Sequence, residues 1–88
     1  MKDKHIIVGV HITDRLAEAV EVQKHLTANG HLIKTRLGLH EIDGASGAPN
    51  GILLLEMIDD EAAADKFVSE LSGIEGVEAK KMTFDHPA

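Results

Sequence analysis

Histidine, present six times, is the residue type in this 88-residue sequence that most suggests chemistry. His11 and His40 each end a predicted strand, and Glu56 places a charge inside the most apolar segment of the chain. Imidazole nitrogens and a carboxylate oxygen suit a divalent ion such as Zn²⁺. His11 or His40 with Glu56 is therefore a candidate metal site, within one chain or across a dimer interface. The structural interpretation, which we favour, is exposed histidines at strand ends and an ion pair between Glu56 and Arg36 on neighbouring strands.

Basic residues recur along the second predicted strand. Lys34, Arg36 and His40 alternate with other residues along it, so they are predicted to share one side of that strand. Gly38 lies between them and would let a ligand approach the backbone. Arg36 and Gly38 are therefore candidate residues of an anion or effector site. The alternative, which we favour, is an edge strand whose charges prevent pairing with another chain.

Residues for covalent catalysis are less convincing. The chain has no cysteine, which excludes disulfides, thiolate metal sites and cysteine nucleophiles. Ser46 lacks the strand–turn–helix context of a nucleophilic serine, and the glycine-rich stretch around it lacks the lysine of a phosphate-binding P-loop. The acidic run at residues 59–61 is explained by the start of a helix, where negative charge is favoured. No enzymatic activity is predicted.

Hydropathy patterns predict the elements that position these residues. Thr13 and Asp14 are suited to begin a first helix, which Gly30 ends, and Gly73 ends a second helix. Strands are predicted over residues 5–12, 31–42, 52–58 and 77–84. The order βαββαβ predicts an α+β, ferredoxin-like sandwich, with a four-stranded antiparallel sheet and both helices on one face. The whole chain, residues 1–88, is predicted to form this single domain.

The opposite face of such a sheet would be bare and apolar. A continuous apolar surface is unusual on a monomer, so a dimer or tetramer is predicted, formed sheet to sheet or edge to edge. Because the third strand is apolar throughout, its register stays open. The bare face should carry Ile7 and Gly9 with one of two sets: Ile52, Leu54 and Ile58, or Leu53, Leu55 and Met57.

The charge and size of the chain limit its partners. Nine basic and fifteen acidic residues give a formal net charge of −6, and the only aromatic residues are two phenylalanines. That composition argues against direct DNA binding by this chain, because DNA binding requires positive charge and base stacking requires aromatic rings. No apolar run approaches the roughly 20 residues that a membrane span needs, so we expect a cytoplasmic protein.

Three segments resemble a known family. They are residues 12–15, which read Ile-Thr-Asp-Arg, residues 35–38, which read Thr-Arg-Leu-Gly, and residues 71–77, which read Leu-Ser-Gly-Ile-Glu-Gly-Val. The chain resembles the iron-only hydrogenase system regulators, which are ACT-like relatives of the C-terminal regulatory domain of the nickel-responsive transcriptional repressor. The resemblance implies a non-enzymatic, ligand- or metal-sensing domain in transcriptional regulation. It also implies an effector site at the first strand–helix turn, occupied here by Gly9, His11, Thr13 and Asp14.

The chain also departs from that repressor. The repressor's nickel site uses a His-x-His pair and a cysteine, whereas residues 37–40 here read Leu-Gly-Leu-His and cysteine is absent. The resemblance therefore implies no tight nickel site, and at most a weakly bound divalent metal. The repressor's DNA-reading ribbon-helix-helix is also expected to be missing. Two other functions stay open: a small acylphosphatase-like enzyme on the same fold, and a purely structural oligomerisation module.

Overall fold

The strands and helices follow one another in the predicted order in a computed structural model, which describes residues 3–13, 16–40 and 51–86. A single turn of 3-10 helix at Gly30–Leu32 precedes the second strand. The elements are β1 (Asp3–Ile12), α1 (Leu16–Ala28), β2 (Ile33–His40), β3 (Gly51–Met57), α2 (Glu61–Ser72) and β4 (Val77–His86). The predicted ferredoxin-like βαββαβ arrangement is confirmed.

The four strands form one antiparallel sheet in the order β2-β3-β1-β4. Side chains alternate across a strand, so one side of the sheet packs against the helices and the other does not. The helix-facing side of β1 contributes Ile6, Val8, Val10 and Ile12 to the core. From β3 and the helices come Leu55, Met57, Val22, Leu26, Ala64, Phe67 and Leu71.

The two helices differ in how well the sequence predicts them. Asp60 caps α2 as expected, because its Oδ1 accepts a hydrogen bond of 3.0 Å from the backbone N–H of Ala63. In α1, hydropathy alone would place Val20 in the core, but its side chain is 55% exposed. The buried residue one half-turn earlier is a carboxylate, Glu18. Neither described helix is long and apolar enough to cross a membrane.

The prediction that the basic residues of β2 share one side of the strand is wrong, because the strand contains a bulge. Ile33 pairs with Met57, whereas Thr35 pairs with Glu56, so the register shifts by one residue between them. The extra residue, Lys34, reaches the side of the sheet that faces away from the helices. Arg36 pairs with buried Leu55 and so lies on the helix-facing side. Lys34 and Arg36 therefore do not share a side of the strand.

Candidate functional site

The side of the sheet that faces away from the helices, called the outer face below, carries an exposed group of apolar side chains between two charged corners. The register decides between the two sets predicted for β3: Ile52 and Leu54 lie on the outer face, and Leu55 and Met57 lie under the helices. Ile58 follows the end of β3. Several outer-face side chains are substantially exposed, among them Leu37 at 54%, Met82 at 53% and Phe84 at 50%.

Gly9 lies at the centre of the outer face and leaves a shallow hollow there, called the Gly9 hollow. Its volume is about 350 Å³, and its lining residues are Ile7, Gly9, Leu54, Lys80, Lys81 and Met82. A Cβ placed at Gly9 would lie 3.9 Å from Leu54 Cδ2, which is ordinary contact. A Cβ therefore fits at this position without a clash, and the lack of a side chain at Gly9 leaves room for the hollow.

Glu56 and its neighbours form a charged corner of the outer face. Its carboxylate lies 3.6 Å from Lys34 Nζ and 3.8 Å from His5 Nδ1, and its Oε1 accepts a hydrogen bond of 3.3 Å from Thr35 Oγ1. Among the contacts of the described residues, Glu56 and Arg36 do not form the expected ion pair, because Arg36 lies on the helix-facing side of β2. The Arg36 guanidinium instead donates a hydrogen bond of 3.0 Å to Gln23 Oε1 on α1.

A second charged corner lies at the opposite end of the outer face, on β4. Lys80 Nζ lies 3.7 Å from Glu78 Oε2, and both side chains are well exposed. Lys80 is opposite Gly9 in the sheet, and Glu78 is opposite His11. Nothing in the sequence around Lys80 singles it out as part of this face. Its relation to Glu56 becomes visible only when the order of the strands is known.

The structure places the residues predicted to form an effector site on two different sides of the sheet. Gly9 and His11 both lie on the outer face of β1. Gly38, beside Leu53, and Arg36 both lie on the helix-facing side of β2. Asp14 lies outside the described residues. The structure therefore brings Gly9 and His11 to one face but does not bring Arg36 and Gly38 to them.

Thr13 takes part in a contact that sequence reasoning missed. Its hydroxyl donates a hydrogen bond of 2.7 Å to Glu18 Oε1, and its backbone N–H donates one of 3.2 Å to the carbonyl of Gly76. Gly76 has a φ of 84°, and the Glu18 carboxylate occupies the space where a Cβ would project. These contacts join the end of β1 to the turn before β4. The sequence feature that could have indicated this contact is Glu18, an acidic residue within the apolar pattern of α1.

The predicted metal ligands are also spread along the sheet. His11 pairs with Ile52 and Glu56 pairs with Ile7, so four residues, or about 13 Å, separate them along the strands. The side chain of His40 lies outside the described part of the structure. Within the described residues, no three His, Cys, Asp or Glu side chains form a group that could hold an ion. Weak metal binding through His11, His40 and Glu56 remains a prediction.

A cluster of short ion pairs lies on the helix-facing side of the sheet. The Glu61 carboxylate accepts hydrogen bonds from Lys81 Nζ at 2.7 Å, Lys4 Nζ at 2.9 Å and Thr83 Oγ1 at 3.0 Å. These donors, led by Lys81, lower the pKa of Glu61 to about 2. The hydrogen bonds to Asp65 and Glu61 raise the pKa of Lys81. This network joins α2 to β1 and β4.

The sheet order, the helices on one side and the bare outer face place this chain among the ferredoxin-like proteins. No protein-family model and no curated protein sequence matches it. Among solved structures, an uncharacterised protein from Thermotoga maritima is similar, with a TM-score of 0.76 and 21% identity. The match covers 96% of this chain and 99% of that one.

Two other similar structures belong to the PII-like group. A candidate PII-like signalling protein from Thermus thermophilus has a TM-score of 0.61 and 11% identity, over 97% of this chain and 91% of that one. CPII from Thiomonas intermedia, solved with ADP, AMP and acetate, has a TM-score of 0.52 and 5% identity, over 100% and 93%. At these identities the likeness establishes the fold.

Proposed function

We propose that this chain is a non-enzymatic regulatory domain that associates with itself through the outer face and senses a small effector at the Gly9 hollow. The exposed apolar outer face is the observation that carries this proposal. Leu37, Ile52, Leu54, Met82 and Phe84 are all exposed on this one face, and a contiguous exposed apolar patch is more typical of an interface than of a monomer's surface. The similar PII-like structures, one a candidate signalling protein, support a regulatory role.

The chemistry of the Gly9 hollow favours binding over catalysis. Ile7, Leu54 and Met82 supply apolar contact, and Lys80 supplies positive charge at the edge. That combination suits a small molecule with an apolar part and an anionic group. The proposed effector residues are therefore Gly9 and His11, together with the lining of the hollow.

A link to transcriptional control of the iron-only hydrogenase system is the finer part of the proposal. It rests on the resemblance of three segments, which lie at the end of β1, in β2 and across the α2–β4 turn. Because the chain has a net charge of −6, it would act on DNA through a partner that supplies the contact.

Self-association is tested with one variant and one matched control. Leu54→Glu places a charge in the centre of the outer face, and Ala62→Glu places the same charge on the exposed side of α2. Light scattering at micromolar concentration should show a dimer or tetramer for the natural protein and for Ala62→Glu, and a folded monomer for Leu54→Glu. A natural protein that scatters as a 9.5 kDa monomer would contradict the proposal.

Effector sensing is tested separately by thermal shift. The probes are adenine nucleotides, which CPII binds, together with amino acids, small carboxylates and Zn²⁺ or Ni²⁺. A binding probe raises the unfolding temperature as its concentration exceeds Kd. We expect one class to do so in the natural protein and to lose the effect in Gly9→Leu, whose side chain would fill the hollow. A flat response to every class would contradict effector sensing and favour the structural oligomerisation module.

A further inference from the structure

The apolar residues of the outer face run diagonally across the sheet. Three rows of outer-face residues cross the strands, each given in the order β2, β3, β1, β4. The first row is Thr35, Glu56, Ile7 and Met82, and the second is Leu37, Leu54, Gly9 and Lys80. The third row, from β3 to β4, is Ile52, His11 and Glu78. The apolar diagonal therefore runs from Ile52 and Leu37, through Leu54 and Gly9, to Met82 and Phe84. The two remaining corners of the face are charged.

Each charged corner contains one acid and one base. Glu56 and Lys34 occupy the corner formed by β2 and β3, and Lys80 and Glu78 occupy the opposite corner on β4. A face with this pattern complements itself when one corner meets the other and each acid lies opposite a base. Among two-fold axes through the centre of the face, this condition selects one way for two copies to pack.

We infer that two copies pack outer face to outer face about a two-fold axis that lies along the apolar diagonal. This inference rests on the self-association proposed above. The rotation brings Glu56 opposite the partner's Lys80 and Lys34 opposite the partner's Glu78. The strands of the two sheets cross at nearly a right angle, which is one of the two usual arrangements of packed sheets.

The spacing of the sheet supports this geometry. Strands lie about 4.8 Å apart and residues advance about 3.4 Å along each strand. On a flat lattice with these spacings, rotation about the diagonal through the centre of the face carries Glu56 to about 2–3 Å, in the sheet plane, from the partner's Lys80. Packed sheets lie about 10 Å apart, a gap that a glutamate and a lysine side chain span together. The two Gly9 hollows then lie near the axis and face each other.

Other two-fold axes fit the pattern less well. An axis parallel to the strands would place Glu56 over the partner's Ile7 and Lys80 over the partner's Leu37. An axis across the strands would place Lys80 over its own copy. The second diagonal would place Lys80 over the partner's Ile52. Each of these three axes would bury a charged side chain against an apolar or like-charged surface. That costs more free energy than burying it against a side chain of opposite charge.

A charge swap tests the inference. Glu56→Lys and Lys80→Glu, measured singly by sedimentation equilibrium, should each weaken the dimer at least tenfold. The double variant should return the dissociation constant to within about threefold of the natural value. Rescue inside one chain is disfavoured, because Glu56 and Lys80 pair there with Lys34 and Glu78 and lie two strands and two residues apart, about 12 Å between Cα atoms.

The controls separate this arrangement from the broader proposal. Swapping Glu21 and Lys24, an exposed ion pair of 3.5 Å on α1, should leave the dimer unchanged. The neutral variants Glu56→Gln and Lys80→Gln should weaken it without adding repulsion inside the chain, and circular dichroism checks that each variant folds. A double variant as weak as the weaker single variant, or single variants without effect, overturns the diagonal arrangement. In that case the Leu54→Glu result still decides whether the outer face associates. A dimer unaffected by Leu54→Glu overturns both.

Discussion

Glu18 is a buried carboxylate that connects two turns of the molecule. Its side chain is 6% exposed, it accepts the hydrogen bond of Thr13, and it lies over Gly76. A carboxylate is removed from water only where polar groups replace the lost solvent. The glycine at position 76 is needed for two reasons, the left-handed backbone and the space that the carboxylate fills.

Gly76→Ala should therefore destabilise the protein. The left-handed conformation alone costs a residue with a Cβ about 1–2 kcal/mol, and the new methyl group would also displace the Glu18 carboxylate. The free energy of unfolding in urea should fall by at least that amount. Gly30→Ala is the control, since a Cβ there meets nothing within 4 Å, and its stability should be nearly unchanged. Equal stabilities for the two variants would contradict this account of Gly76.

At the scale of elements, the Glu61 network fixes the start of α2 against β1 and β4. Lys4 and Lys81 approach the same carboxylate from two neighbouring strands, and Lys81 also pairs with Asp65 on the next turn of α2. The hydrogen bond from Lys81 contributes most to the low pKa of Glu61. Because the carboxylate is held in its charged form, the network predicts how stability changes with pH.

The expected pH dependence follows from the direction of that shift. The folded pKa of Glu61 is about 2, below its ordinary value of 4.5, so this contribution is fully present above pH 4.5 and is lost as the pH falls toward 2. Glu61→Gln should be less stable than the natural protein at pH 6, and the difference should shrink between pH 4.5 and pH 2. Urea titrations over this range measure it. Glu70→Gln, an exposed change on the same helix, should show no such trend; a Glu61→Gln deficit independent of pH would argue against the network.

The elements were predictable where local patterns decide them. The acidic cap and apolar spacing of α2 were sufficient to predict it, and the order βαββαβ followed from alternating patterns along the chain. The side of β2 that each residue occupies was not predictable. A single-residue bulge at Lys34 shifts the alternation by one residue, and this shift is visible only in the pairing of β2 with β3.

The candidate site was only partly predictable for the same reason. Gly9 was expected on the outer face because alternation in β1 implies it, whereas the apolar β3 left its register open, and only the pairing with β1 places Leu54 beside Gly9. The pairing of Glu56 with Lys34, and the burial of Glu18, depend on contacts between segments far apart in sequence. A sequence pattern contains residue types and spacing, but the partner of a charge is decided by strand order and register.

At the scale of the whole molecule, net charge limits which molecules, duplex DNA among them, this domain can bind without a partner protein. The net charge is −6, and the lysines of the structure are largely engaged with carboxylates: Lys4 and Lys81 with Glu61, and Lys34 with Glu56. A protein binds duplex DNA by neutralising phosphates with free positive charge, and this binding weakens steeply as salt rises.

The isolated chain should therefore show no binding to duplex DNA that depends on salt. Fluorescence anisotropy of a labelled duplex, read at about 50 mM and about 150 mM salt, should stay flat as the protein is added, while a polylysine control raises it at the lower salt. Self-association does not change this expectation, because pairing Glu56 with the partner's Lys80 uses up positive charge and exposes none. Tight binding to one DNA sequence by the purified protein would contradict this expectation, and the domain would then read DNA itself.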